Sequence, residues 1–208
     1  MKTILIALVT LCFCQVVGGQ VRQLPGEQIY RRLHVEAFSH GSENAYYPTL
    51  VQEKLEWIRV ESFAGRLIII HAERFSNASA STIMASDITV DGKKRIVVSL
   101  ESIRVSSATL TTKELKTHYA LAMTHEAIHF EAYETIRLGR KATPNQRVNE
   151  EVRTWHRWII GAVRPLLQTG HKMSPGLKEV NEVLKRCGDD ARCVEFVMEI
   201  NMRTVQLK

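Results

Sequence analysis

The stretch Tyr119–Phe130 (YALAMTHEAIHF) constrains this chain more than any other. It is apolar almost all round, the pattern of a helix buried in a core, yet it carries His125, Glu126 and His129. Two imidazoles and a carboxylate buried without partners would each cost on the order of the stability of a small domain. Something must compensate, and a metal ion is the simplest candidate. The His-Glu-x-x-His spacing puts His125 and His129 at i and i+4, one helical turn apart on one face, with Glu126 projecting beside them. Two imidazoles so arranged suit zinc, and the neighbouring carboxylate suits proton abstraction from zinc-activated water.

The ends of the chain bear on where such chemistry would operate. Lys2, the apolar run Ile4–Val17 and the small residues Gly18-Gly19 read as a secretory signal peptide over residues 1–19. Residues 20–208 are then expected to form one domain in a secreted or periplasmic protein, with no membrane span. Of four cysteines, Cys12 and Cys14 leave with that segment. Cys187 and Cys193 flank a short polar stretch between two helical patterns, so a disulfide closing a helical hairpin is expected. The formal charge of +6 is spread along the chain without interleaved aromatic and basic residues, so no nucleic-acid partner is expected.

The rest of the chain divides by its hydrophobic period. Glu27–Phe38 and Tyr47–Val60 read as amphipathic helices. Gly65–Ala72 (GRLIIIHA) reads as a buried strand. Asn77-Ala78-Ser79 matches a glycosylation acceptor. Asp87–Val90 and Arg95–Leu100 flank Asp91-Gly92, a hairpin signal. The second arm, RIVVSLESI, is expected to be the strand nearest the motif helix, where an edge could pair with an extended peptide. Thr111 and Glu114 form a capping-box pattern opening the motif helix, expected over Lys113–Leu138 with a stop at Gly139. A second helix is expected from Asn145 to Leu167, bent at Pro165. A further helix opens at Ser174-Pro175, and a terminal one ends near Ile200. The fold class expected is α+β: a small, mostly antiparallel sheet packed on the long motif helix, with a helical C-terminal part.

A catalytic zinc requires a third protein ligand, with one position left open. Ala132 and Thr135 stand where a metzincin pattern needs Gly and His, and no Asp lies between His129 and Cys187. Asn149-Glu150-Glu151 remains. Val148, Val152, Trp155, Ile159 and Val163 mark the apolar face of the second helix. Glu151 borders that face, whereas Glu150 is expected about 100° away, toward Arg153, Thr154 and Arg157.

His125-Glu126-Ala127-Ile128-His129 followed by Asn149-Glu150-Glu151 resembles the zincin metallopeptidases of the gluzincin, thermolysin-like type, over roughly Lys113–Trp158. The resemblance implies one Zn2+ held by two His and one Glu, Glu126 as general base, and a peptide or protein substrate. In that family the ligating Glu directly follows an Asn, which here selects Glu150. The helical face selects Glu151. Both stay in play, Glu151 first. Tyr133, His156 and His171 are the donors that by type could stabilise an oxyanion. The same residues also allow a non-catalytic zinc-binding domain that binds a protein or an envelope polymer.

Overall fold

The computed structural model describes residues 25–38, 46–75, 83–89, 91–136, 143–171, 178–188 and 190–206. The signal-like segment, the Asn77 acceptor, Gly139 and the Ser174-Pro175 start lie outside them. The described chain is α+β and mostly helical. Its elements are α1 (Pro25–Phe38), α2 (Thr49–Phe63), β1 (Leu67–Ala72), β2 (Met84–Ile88), β3 (Lys94–Ser99), α3 (Leu100–Thr109), α4 (Thr112–Ile136), α5 (Pro144–Trp158), α6 (Arg164–Gln168), α7 (Lys178–Cys187) and α8 (Ala191–Gln206). A single wide π turn, Ile159–Val163, joins α5 to α6.

The motif helix α4 is the hub. It packs against α1, α2, α3, α5, β2 and the π turn. Such surroundings explain why its sequence is apolar nearly all round: Tyr119, Ala120, Met123, Ala127 and Phe130 are essentially inaccessible. The capping box forms as expected. The Thr111 hydroxyl accepts from the Glu114 N–H at 3.3 Å, and the Glu114 carboxylate accepts from the Thr111 N–H at 2.8 Å. These bonds satisfy donors that the first helical turn leaves free.

The three-stranded sheet has the order β1-β3-β2. The expected hairpin is present: β2 and β3 are antiparallel, with Ser86 opposite Ile96. Gly92 adopts φ 79° in the turn, a conformation that a side chain resists. The other pairing differs from expectation. β1 runs parallel to β3, with Ile69 opposite Ile96, so the sheet is mixed rather than mostly antiparallel. A parallel partner is reached through a crossover, here the excursion through β2, and no local signal announces it.

Three further expectations are corrected. β1 is an edge strand and only its alternate residues turn inward, so Ile68 and Ile70 remain 37% and 38% exposed. The RIVVSLESI arm ends as a strand at Ser99, whose hydroxyl accepts from the Ser102 N–H at 3.2 Å and opens α3. The strand packed on α4 is β2, while β3 lies in the sheet centre.

The second helix begins with a reciprocal capping box between Thr143 and Gln146 that encloses Pro144 in the first turn. Where a bend at Pro165 was expected, the chain widens in the π turn just before it. Proline cannot donate to the carbonyl four residues back and its ring crowds that position, which the wide turn relieves. Gly161 sits in this turn, and a Cβ there would lie 2.6 Å from Leu50 Cδ2, so α2 approaches closely. At the C-terminal end, the Cys187 and Cys193 sulfurs lie at bonding distance, 2.17 Å, and clip α7 to α8. Among the described residues no helix is long and apolar enough to cross a membrane.

Candidate metal centre

The site is built where α5 crosses α4. His125 and His129 sit one turn apart on α4, and their Nε2 atoms are 3.0 Å from each other. Glu151, on α5, brings Oε1 to 3.8 Å from His125 Nε2 and Oε2 to 3.6 Å from His129 Nε2. All three donors lie within 4.8 Å of one another. A tetrahedral ion with bonds of about 2.0–2.2 Å separates its ligand atoms by about 3.3–3.5 Å. The observed separations bracket that value, so the donor set fits a zinc-sized ion in both element and spacing.

Each donor is held differently. The Trp155 indole N–H donates to Glu151 Oε1 at 2.8 Å, an i to i+4 bond that aims the carboxylate inward while leaving it partly exposed. His125 packs edge-on against Trp155 and Trp158, with ring centroids 5.0 and 5.3 Å away. The Trp158 N–H in turn donates to the Leu121 carbonyl at 2.8 Å and fixes that wall. His129 Nδ1 lies 2.5 Å from Glu150 Oε1.

Glu150 departs from expectation. It is buried, 4% exposed, rather than turned toward the polar side chains of Arg153 and Arg157. The face argument assumed one packing neighbour, but α5 packs against both α4 and α8. Its buried arc is therefore wide enough to hold Glu150, Thr154 and Trp158 on one flank and Val148 and Val152 on the other. The Thr154 hydroxyl donates to the same Glu150 oxygen at 3.2 Å.

Glu126 is buried beside the cluster. Burial pushes its carboxyl above the usual range, as do the carboxylates of Glu151 and Glu150; His129 and a hydrogen bond from Ser86 on β2 oppose the shift. Ser86 was not singled out in the sequence, because only the packing of β2 on α4 brings it here.

The two imidazoles respond oppositely to the same burial. Desolvation holds His125 well below its ordinary value, and its neighbour His129 adds to this. Desolvation also acts to lower His129, but the Glu150 bond and the charges of Glu126, Glu151 and Glu150 outweigh it and raise its pKa to about 9. The carboxylates of Glu150, Glu126 and Glu151 thus favour positive charge at this end of α4. His125 Nδ1 is buried without a hydrogen-bond partner.

The oxyanion-donor candidates fare unevenly. His171 lies with Thr169, Gly170, Thr111 and Glu114 beside the start of α4, about 17 Å of helix from His125. His156 is on α5, five residues past Glu151, and its Nε2 is buried without a partner; it stands about 140° round the helix from Glu151. The Tyr133 side chain lies outside the described residues. Neither histidine is brought to the cluster.

No protein-family model matches the chain, and no curated protein or solved structure does.

Proposed function

We propose that this chain is an exported zinc-dependent metallopeptidase with a zincin-like fold of the gluzincin type, its ion held by His125, His129 and Glu151. The observation that carries the reading is the convergence of three zinc-type donors within 4.8 Å on two helices, beside a buried carboxylate. When bound, the ion supplies Lewis acidity, polarising a carbonyl and lowering the pKa of water. Glu126 accepts the proton of the attacking water and passes it to the leaving amine. Its burial and its carboxylate neighbours raise its basicity, which suits that exchange.

A peptide substrate is favoured by the position of β2. It is a sheet edge and it carries Ser86 against Glu126. An extended peptide added to that edge would run past the base. The Cys187–Cys193 pair favours an oxidising compartment, in keeping with export.

The test begins with the metal content of the purified wild-type chain beside Glu151→Gln. One zinc per chain in the wild type, lost or weakened in the variant, is expected. Peptide hydrolysis is then assayed with Glu126→Gln as the inactive control. A wild-type chain that takes up no zinc even on reconstitution would falsify the reading.

A further inference from the structure

Glu150 and Glu151 are consecutive carboxylates at one site, and the fold gives them different neighbours. Glu151 reaches the Nε2 side of both imidazoles. Glu150 reaches only the far side of one, with Oε1 at 2.5 Å from His129 Nδ1. A carboxylate as buried as Glu150 depends on hydrogen-bonding partners. Here His129 Nδ1 and the Thr154 hydroxyl, the latter at 3.2 Å and one turn along the same helix, both meet Oε1. With Nδ1–H donated to Glu150, His129 has one nitrogen left for an ion, Nε2, and its ring plane is set by a bond as well as by packing.

His125 has no such support. Its Nδ1 is buried without a hydrogen-bond partner, and the flanking indoles Trp155 and Trp158 meet it through ring edges. Those contacts limit where the ring lies, but they do not select which nitrogen carries the proton. The two histidines of the motif are thus unequal, although the spacing that brings them together treats them alike.

We propose that Glu150 is the positioning residue of the centre: by holding His129 through Nδ1 it makes that histidine the preformed anchor for the cation and leaves His125 as the looser ligand. The proposal rests on the zinc reading given above. It divides the labour of the Glu-Glu pair. Glu151 donates to the ion, and Glu150 acts through His129 and touches no substrate. The carboxylate also raises the electron density on the imidazole, which strengthens its bond to a metal.

The experiment measures the zinc affinity of the full chain by competition with a chromophoric chelator, for wild type, Glu150→Gln and Glu151→Gln. Cobalt(II) is loaded in place of zinc, so that its visible absorption reports the donor set. Glu150→Gln is expected to weaken zinc binding about 10- to 100-fold and to keep the wild-type cobalt spectrum. Glu151→Gln is expected to change that spectrum, because a donor is removed. Wild-type affinity in Glu150→Gln overturns the proposal. So does a cobalt spectrum altered as in Glu151→Gln, which would make Glu150 itself a ligand. If Glu150→Gln does not fold, Glu150→Asp carries the test, since it keeps the charge but withdraws it from Nδ1. Affinity below wild type then supports the role, and equal affinity refutes it. A wild-type chain that binds neither metal removes the underlying zinc reading, and that result is read before any variant is compared.

Discussion

The two halves of α4 bury similar chemistry and treat it in opposite ways. Toward the N-terminal end, His118 and Tyr119 are buried. Tyr119 meets His34 through a 3.2 Å contact from its hydroxyl to Nδ1, and Tyr30 stacks near both His34 and His71. Toward the C-terminal end stand His125, Glu126 and His129, faced by Glu150 and Glu151. In the first half, burial lowers the pKa of His118 to about 4, lowers that of His34, and raises those of Tyr30 and Tyr119. Every one of those groups is driven toward neutrality. In the second half, carboxylates reverse that drive at His129, whose pKa is raised to about 9. Burying a histidine on this helix does not by itself favour a positive charge; at His129 the carboxylates of Glu150, Glu126 and Glu151 do.

The contrast can be broken at either end. The largest effect is expected at Glu126. Glu126→Gln should lower peptide hydrolysis by about 10^2- to 10^4-fold while zinc content stays at the wild-type level. Parallel loss of zinc would instead show that this side chain maintains the site rather than moving a proton.

The N-terminal half should announce itself through acid sensitivity. His118 has its native pKa depressed below the unfolded value, so the unfolded chain takes up the proton first. Its contribution to stability is present above about pH 6.5 and is lost as pH falls toward about 4. At about 1.4 kcal/mol per unit, that amounts to about 3 kcal/mol. Urea unfolding at pH 7 and at pH 4.5, wild type beside His118→Leu, reads it as the difference between the two losses. An equal loss in both proteins would clear His118 of the role.

The smallest effect sharpens the comparison. Tyr119→Phe removes the hydroxyl that meets His34 and should cost about 0.5–1.5 kcal/mol in a denaturant titration. Zinc content should not change, because the residue lies about 9 Å along α4 from His125, the nearest of the three donors. A shift in zinc affinity would mean that the two halves are coupled through α4.

What the sequence made legible was local. The capping box at Thr111 and Glu114, the Asp91-Gly92 hairpin, the i and i+4 histidines and the cysteine clip each occupy a few neighbouring residues, and each formed. Sites that depend on two neighbours at once were not legible. Glu150 looked solvent-facing because a single apolar stripe was assumed, and α8 widened the buried arc. The parallel pairing of β1 with β3 depends on a crossover whose ends carry no mark. The RIVVSLESI arm reads as strand through Ile103, but the cap at Ser99 turns the chain into α3 four residues earlier. Ser86 carried no signal at all, although Glu150 to Thr154 and Glu151 to Trp155 did, as i and i+4 pairs able to bond.

The hairpin has a role beyond joining two strands. Its turn is pinned by the Thr89 N–H to the Lys93 carbonyl at 2.8 Å and by the Gly92 N–H to the Thr89 carbonyl at 3.0 Å. That closure sets which residues of β2 look inward, because side chains alternate and a slip of one residue exchanges the faces. Ser86 looks inward and meets Glu126. One residue either way would offer the base a methyl group from Ala85 or a second acid from Asp87. The length of a surface turn therefore works as a gauge for the chemistry beneath it, and a one-residue deletion there would rewrite the surroundings of Glu126 without touching α4.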